Sequence, residues 1–323
     1  MKTGTLVVGA IVRNRAKLDW GLGKVLLIQG AKAWIYFKGI EGSPEEAIKN
    51  VHIAVAPLEL EERQTDPWLD NLPPFVKNGK VVAPKTVRLT QDQAIERFVT
   101  RYPGRFEDPR YLEEERDYKW AAHKLFEGSL GVERLRILIN GGSVVEAVEL
   151  IKKVVQSVNL LSPYELMAFS DGLKDLPAAR RYLDALATLL SQDAIDQDCF
   201  DQLAKAVSEL PAEKGAAKPF TWPVVTLLPF LANPQRFMFL KPRVTKEAAE
   251  RLAFDLLYDS TPQWHTYACL LKLSAVLMED SLAPIGPLLD QRSFFVPVCP
   301  VCTAVRIDLV VSPVLTHHLR GAV

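Results

Sequence analysis

The chain has 323 residues, 48% hydrophobic and 24% charged, too many for one ordinary core and comfortable for two. Its 39 basic and 39 acidic side chains cancel, which excludes a chain that is cationic overall, so a nucleic-acid role would have to rest on a local patch. No run approaches the roughly 20 apolar residues of a membrane span. The first residues lack the apolar stretch of a signal peptide, and four cysteines are too few for a secreted disulfide scaffold, so the expectation is a cytoplasmic protein without membrane association.

Residues 1–56 read as strands. Leu6-Val7-Val8 and Ala10-Ile11-Val12 are β-rich, Gly23–Ile28 follows a glycine-bounded turn, and Ala33–Phe37 follows another at Gln29-Gly30-Ala31. Short strands with glycine punctuation at this spacing predict a small closed SH3-like barrel of five strands, in which alternation puts Trp34 and Phe37 on opposite faces. The segment is locally basic: residues 1–53 hold eight Lys or Arg against four acids, an excess of four. From 57 to 89 five prolines (57, 67, 73, 74, 84) forbid a continuous helix, and Glu59, Glu61, Glu62 and Asp66 make the opening acidic. This stretch is a linker or an arm. Trp68, Leu69, Leu72 and Phe75 are too apolar for a free tether, so packing is expected.

Residues 90–285 read as an all-helical domain, with helices near 91–102, 109–130, 144–158, 163–173, 176–191, 195–209, 245–256 and 262–281. Thr90 with Gln93 and Ser143 with Glu146 fit capping boxes, and Ser162-Pro163 with Glu165 adds a proline at the first helical position. Asp108-Pro109 and Thr261-Pro262 repeat the cap-then-proline pattern. Between Trp222 and Pro242 four prolines interrupt an apolar run, predicting a short helix, a break at Asn233-Pro234, and an extended Phe237–Leu240. Residues 286–323 form an atypical apolar tail with β-like stretches.

Leu18-Asp19-Trp20-Gly21-Leu22-Gly23-Lys24-Val25, followed by Gly30 and Trp34-Ile35-Tyr36-Phe37, resembles a small bacterial domain family of unknown function. That family is Tudor-like (SH3-like), as at the C-terminus of UvrD/PcrA-type helicases. The resemblance covers about 45 residues, roughly one-seventh of the chain. It implies a docking module for RNA polymerase, a helicase or nucleic acid. Phe239-Leu240-Lys241-Pro242 and Trp264-His265-Thr266-Tyr267 resemble bacterial proteins to which no activity attaches.

The candidate binding residues are Arg13, Arg15, Lys17, Trp20, Lys24, Trp34 and Tyr36, where cations and aromatics coincide on a small module; aromatics there can stack on bases, enter a partner, or simply build the core. Arg116, Lys119 and His123 share a helix face with Trp120, and Arg236 and Lys241 flank a rigid loop; both groups are candidates for holding an anion, set against neighbouring acids that can neutralise the first. Cys299 and Cys302 have zinc-knuckle spacing without a properly spaced second ligand pair, so two incidental thiols are the favoured reading. No nucleophile elbow, phosphate loop or zinc helix occurs, and no cofactor is expected. The favoured function is a non-enzymatic adaptor that docks on nucleic acid or on a nucleic-acid-processing machine. The alternatives are an enzyme or ligand binder with a site near 222–243, and a protein-only scaffold.

Overall fold

The computed structural model describes residues 5–83, 91–212, 215 and 217–282. They fall into two compact units. Among the described residues, the first takes in those up to Arg97 together with Lys246–Leu256, and the second takes in those from Phe98 to Thr245 and from Leu257 onward.

The first unit is built on an antiparallel sheet of β1 (Ile11–Asn14), β2 (Leu22–Gln29), β3 (Lys32–Phe37), β4 (Ile48–His52) and β5 (Leu58–Leu60), in the order β4-β3-β2-β1-β5. A capped turn of helix, α1 (Pro44–Ala47), leads into β4, with Ser43 and Glu46 completing its capping box. Two features depart from the expected barrel. The sheet is open, since no ladder joins β5 to β4 among the described residues. The fifth strand lies past residue 56, where proline-rich sequence had suggested a linker, because β5 pairs with β1 in the register Arg13↔Glu59. At the other end Gly9 (φ 89) turns the chain, so β1 starts at Ile11 rather than Leu6.

Strand alternation distributes the side chains to two faces, and both are covered. Val12, Val25, Ala33, Ile35 and Phe37 form one cluster, with Leu6, Trp20, Val51 and Leu58 packed around it. Ile11, Tyr36 and Ala47 form the other, together with Leu69 and Phe75 from the arm and Ala253 from the distant 246–256 segment. The arm is therefore packed: Phe75 stacks on Tyr36 at 5.6 Å, Trp68 meets Phe254 edge-on, and the Asp255 N–H donates to Asn71 O at 2.7 Å. The arm ends in a small hairpin, β6 (Val76–Lys77) and β7 (Lys80–Val81).

Helix α2 (Gln91–Arg101) precedes the second unit's helical layers: α3 (Pro109–Tyr111), a π-turn over Leu112–Arg116, α4 (Asp117–Ser129), α5 (Val132–Asn140), α6 (Val144–Gln156), α7 (Pro163–Gly172), α8 (Leu176–Ser191), α9 (Gln197–Ser208) and α10 (Trp222–Ala232). Helix α11 (Pro242–Arg251) and helix α12 (Trp264–Leu282) follow. Helix α10 is buried from Trp222 to Leu231 and contacts α4, α7, α8 and α9, as a helix apolar on every side must. Val144, Val148, Ile151 and Val155, which helical spacing puts on one stripe of α6, are buried as well.

Local caps are realised at Ser162, whose hydroxyl and Glu165 form a full capping box, and at Asp108, which accepts from the Arg110 N–H. They fail at two expected places. Ser143 makes no side-chain cap, because its N–H closes the preceding α5 on Leu138 O at 2.8 Å, with Gly142 (φ 78) in the left-handed position. Thr261 and Pro262 precede α12 rather than start it, and the Thr261 N–H goes to Asp259 Oδ1. Helix α5 falls between the helices expected near 109–130 and 144–158 and ends at Asn140, ahead of Gly141-Gly142. Thr90 and the 286–323 tail lie outside the described residues.

Candidate binding surface of the N-terminal unit

The Asp19-Trp20-Gly21-Leu22-Gly23 motif folds as it does for reasons of space. Leu18–Trp20 make one 3-10 turn, which Gly21 ends at φ 67, a left-handed value that side chains with a Cβ avoid. At Gly23 a Cβ would sit 2.5 Å from the Phe37 ring, so only glycine lets β2 close on β3 there. The same approach brings the Trp20 carbonyl to the Gly39 N–H at 2.9 Å. Trp20 is half-buried, tilted against Phe37 at a centroid distance of 5.1 Å, with the Lys49 ammonium 5.7 Å from its own ring centroid. Next to it Leu18 is 64% exposed, and Lys17 is exposed.

The three other cations are engaged within the unit. Arg13 Nε donates to Glu61 at 2.8 Å, and Arg15 grips Glu59 with two nitrogens, at 2.8 and 2.5 Å. Arg15 holds the Glu59 carboxyl below the usual carboxylate range by that hydrogen bond. Lys24 reaches Asp70 at 3.2 Å and the Leu69 carbonyl at 3.1 Å. The physical cause is the register: β5 sets Glu59 opposite Arg13, which leaves Glu61 diagonal to Arg13 and Glu59 diagonal to Arg15, so the acidic opening of the arm is the cross-strand complement of the basic strand. Of the aromatics, Trp34 is half-buried, and Tyr36 has no exposed surface, so it cannot touch a partner.

The anion candidates in the second unit are likewise distributed. Lys119 is 1% exposed and paired with buried Glu115 at 3.0 Å, while Arg116 bonds its neighbour Asp117. His123 Nδ1 lies 2.7 Å from Leu231 O, a distance at which the imidazole N–H donates to an end-of-helix carbonyl of α10 that has no intrahelical donor. His123 thus ties α4 to the end of α10, while Lys119 and Arg116 are engaged by acids on their own helical run. Lys241 is exposed at the start of α11, and Arg236 lies over the Phe237 ring at 5.3 Å. Residues 222–231 are packing residues of the core. Cys299 and Cys302 lie outside the described residues; among the described ones no cluster of His, Cys, Asp or Glu could hold a metal ion. No described helix is long and apolar enough to cross a membrane.

Three lysines outside the candidate set, Lys32, Lys77 and Lys80, are exposed and form no ion pair with a described residue. The signal that could have found the last two is Asn78-Gly79 between them, the dipeptide of a tight hairpin. Compared with protein-family models, curated proteins and solved structures, the chain matches none.

Proposed function

We propose that this protein is a non-enzymatic adaptor whose N-terminal unit, an SH3-like (Tudor-like) module, docks on a protein component of a nucleic-acid-processing machine such as RNA polymerase or a helicase. The observation that carries the reading is a contrast within this unit. Arg13, Arg15 and Lys24 spend their charge on Glu61, Glu59 and Asp70, whereas Leu18 stands exposed beside half-buried Trp20 and Lys49. An apolar side chain next to an anchored tryptophan is the arrangement that protein partners use as a binding centre. Paired arginines suit the rim of such a contact better than a phosphate backbone.

The test is capture of purified RNA polymerase and of a UvrD/PcrA-type helicase by the immobilised full chain, after nuclease treatment. Leu18→Glu, at a site exposed enough to leave the fold intact, is expected to abolish capture of one of them. The Arg13→Ala/Arg15→Ala double variant is expected to retain it. Failure to capture either protein, or capture that Leu18→Glu leaves unchanged, would sink the reading.

A further inference from the structure

The two hairpin tips of the N-terminal unit carry a second, different surface. The β2–β3 hairpin turns through Gly30 (φ 57) and Ala31, with Gln29 opposite Lys32. Lys32 is in turn the cross-strand partner of His52 on β4. The β6–β7 hairpin turns through Asn78 (φ 51) and Gly79 (φ 68), both left-handed as a type I′ turn requires, with Lys77 directly opposite Lys80. The Gln29 side-chain amide donates to the Gly79 carbonyl at 2.7 Å and ties one tip to the other. The result is a row that runs His52, Lys32, Gln29, then the Lys77–Lys80 pair, every member exposed.

This row differs from the β1 cations in two respects. The segments that build it, residues 27–34, 50–56 and 75–83, contain no Asp or Glu, and none of the three lysines forms an ion pair with a described residue. Lysines directly opposite one another also repel, so the Lys77–Lys80 pair works against the ribbon that displays it. Lysine does blunt isolated ribbon edges, but one would serve that end, and here three gather on joined tips whose own segments carry no carboxylate.

We infer that the joined hairpin tips are a contact for the phosphate backbone of a nucleic-acid duplex, additional to the protein-docking surface around Leu18 and Trp20. The cations stand on protrusions instead of converging in a cavity, which suits an extended ligand with repeated negative charge. No Phe, Tyr or Trp lies in the turns or at the paired positions Lys32, His52, Lys77 and Lys80, so the exposed lysines favour contact with phosphates without sequence readout.

Counterion release sets the expected behaviour. Three lysine–phosphate contacts give a slope of about −2.7 in log affinity against log salt, so binding of a short labelled duplex should weaken about forty-fold between about 50 and 200 mM salt. The measurement is fluorescence anisotropy with the full chain. Lys32→Ala/Lys77→Ala/Lys80→Ala, all at exposed sites, is expected to weaken binding at low salt more than tenfold and to remove most of the slope. Arg13→Ala/Arg15→Ala should leave the slope where it was. The Leu18→Glu variant should bind duplex normally, so failure of this site and failure of the protein-docking surface are read separately. An unchanged slope in the triple variant, no salt-sensitive duplex binding at all, or equal affinity for polyglutamate of matched charge would each overturn the inference.

Discussion

Replacing Phe75 by alanine asks whether the arm is part of the N-terminal core or merely rests on it. Phe75 is 3% exposed, and its ring stacks on Tyr36 with an interplanar angle of 20°. With Leu69 and Leu72 it covers the sheet face that carries Ile11, Tyr36 and Ile48. The lost transfer free energy of a buried phenylalanine is about 1.5–3 kcal/mol. The cavity left under a rigid sheet brings the expected cost to about 3–5 kcal/mol. Against a typical domain stability of about 5–15 kcal/mol, that is a large share of what holds the unit folded. Because the chain has two units, a single unfolding midpoint would be ambiguous. The assay is therefore urea unfolding combined with amide exchange read residue by residue. Amides of β2 and β3 around Tyr36 are expected to exchange much faster in Phe75→Ala, while those of α10 keep their protection. A loss below about 1 kcal/mol, or an effect spread equally over α10, would refute the reasoning. On the same grounds residues 1–60 alone leave that sheet face bare, and should give a collapsed, poorly dispersed proton spectrum.

Two further outcomes follow from single buried groups. Burial alone would raise the Asp66 carboxyl, but the Lys38 ammonium at 2.7 Å and the N–H groups of Leu69 and Trp68 outweigh it and hold the group below the usual carboxylate range. A folded-state value below the unfolded one stabilises above the unfolded value and is lost as pH falls through the folded one. Asp66→Asn should therefore cost about 1–2 kcal/mol near pH 6, with the gap to the wild type closing below about pH 4 in urea titrations; a gap independent of pH would contradict this. Thr226, 1% exposed, donates to Trp222 O at 2.7 Å and accepts the Leu240 N–H at 3.0 Å. Thr226→Val keeps the shape and strands that N–H, so a loss of about 1–3 kcal/mol is expected, with Thr226→Ser restoring most of it in thermal unfolding. Equal losses in both variants would mean that packing, and not the hydrogen bond, is what the position supplies.

Much of the local structure was legible because its causes lie within a few residues. The Ser162 capping box, the Asp108 cap, the valine stripe of α6 and the alternation of Ala33, Ile35 and Phe37 against Tyr36 are set by neighbours on the same turn or strand. The Asp19–Gly23 motif was legible as a pattern, and its glycines proved to be demanded by a turn and by the Phe37 ring.

What sequence alone left open was decided by partners far away along the chain. A period of two tells that Tyr36 and Phe37 face opposite ways, but not that both faces are covered; Leu69, Phe75 and Ala253 bury Tyr36, and so a plausible contact residue became core. Local charge counts marked Arg13 and Arg15 as a basic patch, yet the β1–β5 register brings in Glu61 and Glu59 from 48 and 44 residues on, and Coulomb attraction between strand neighbours neutralises them. His123 read as a surface ligand, and the end of α10, 108 residues later, claimed its ring nitrogen. The composition of residues 1–97 could not show that 246–256 belong with them, because burial of an apolar face depends on which surface arrives to cover it, and only the folded chain determines that.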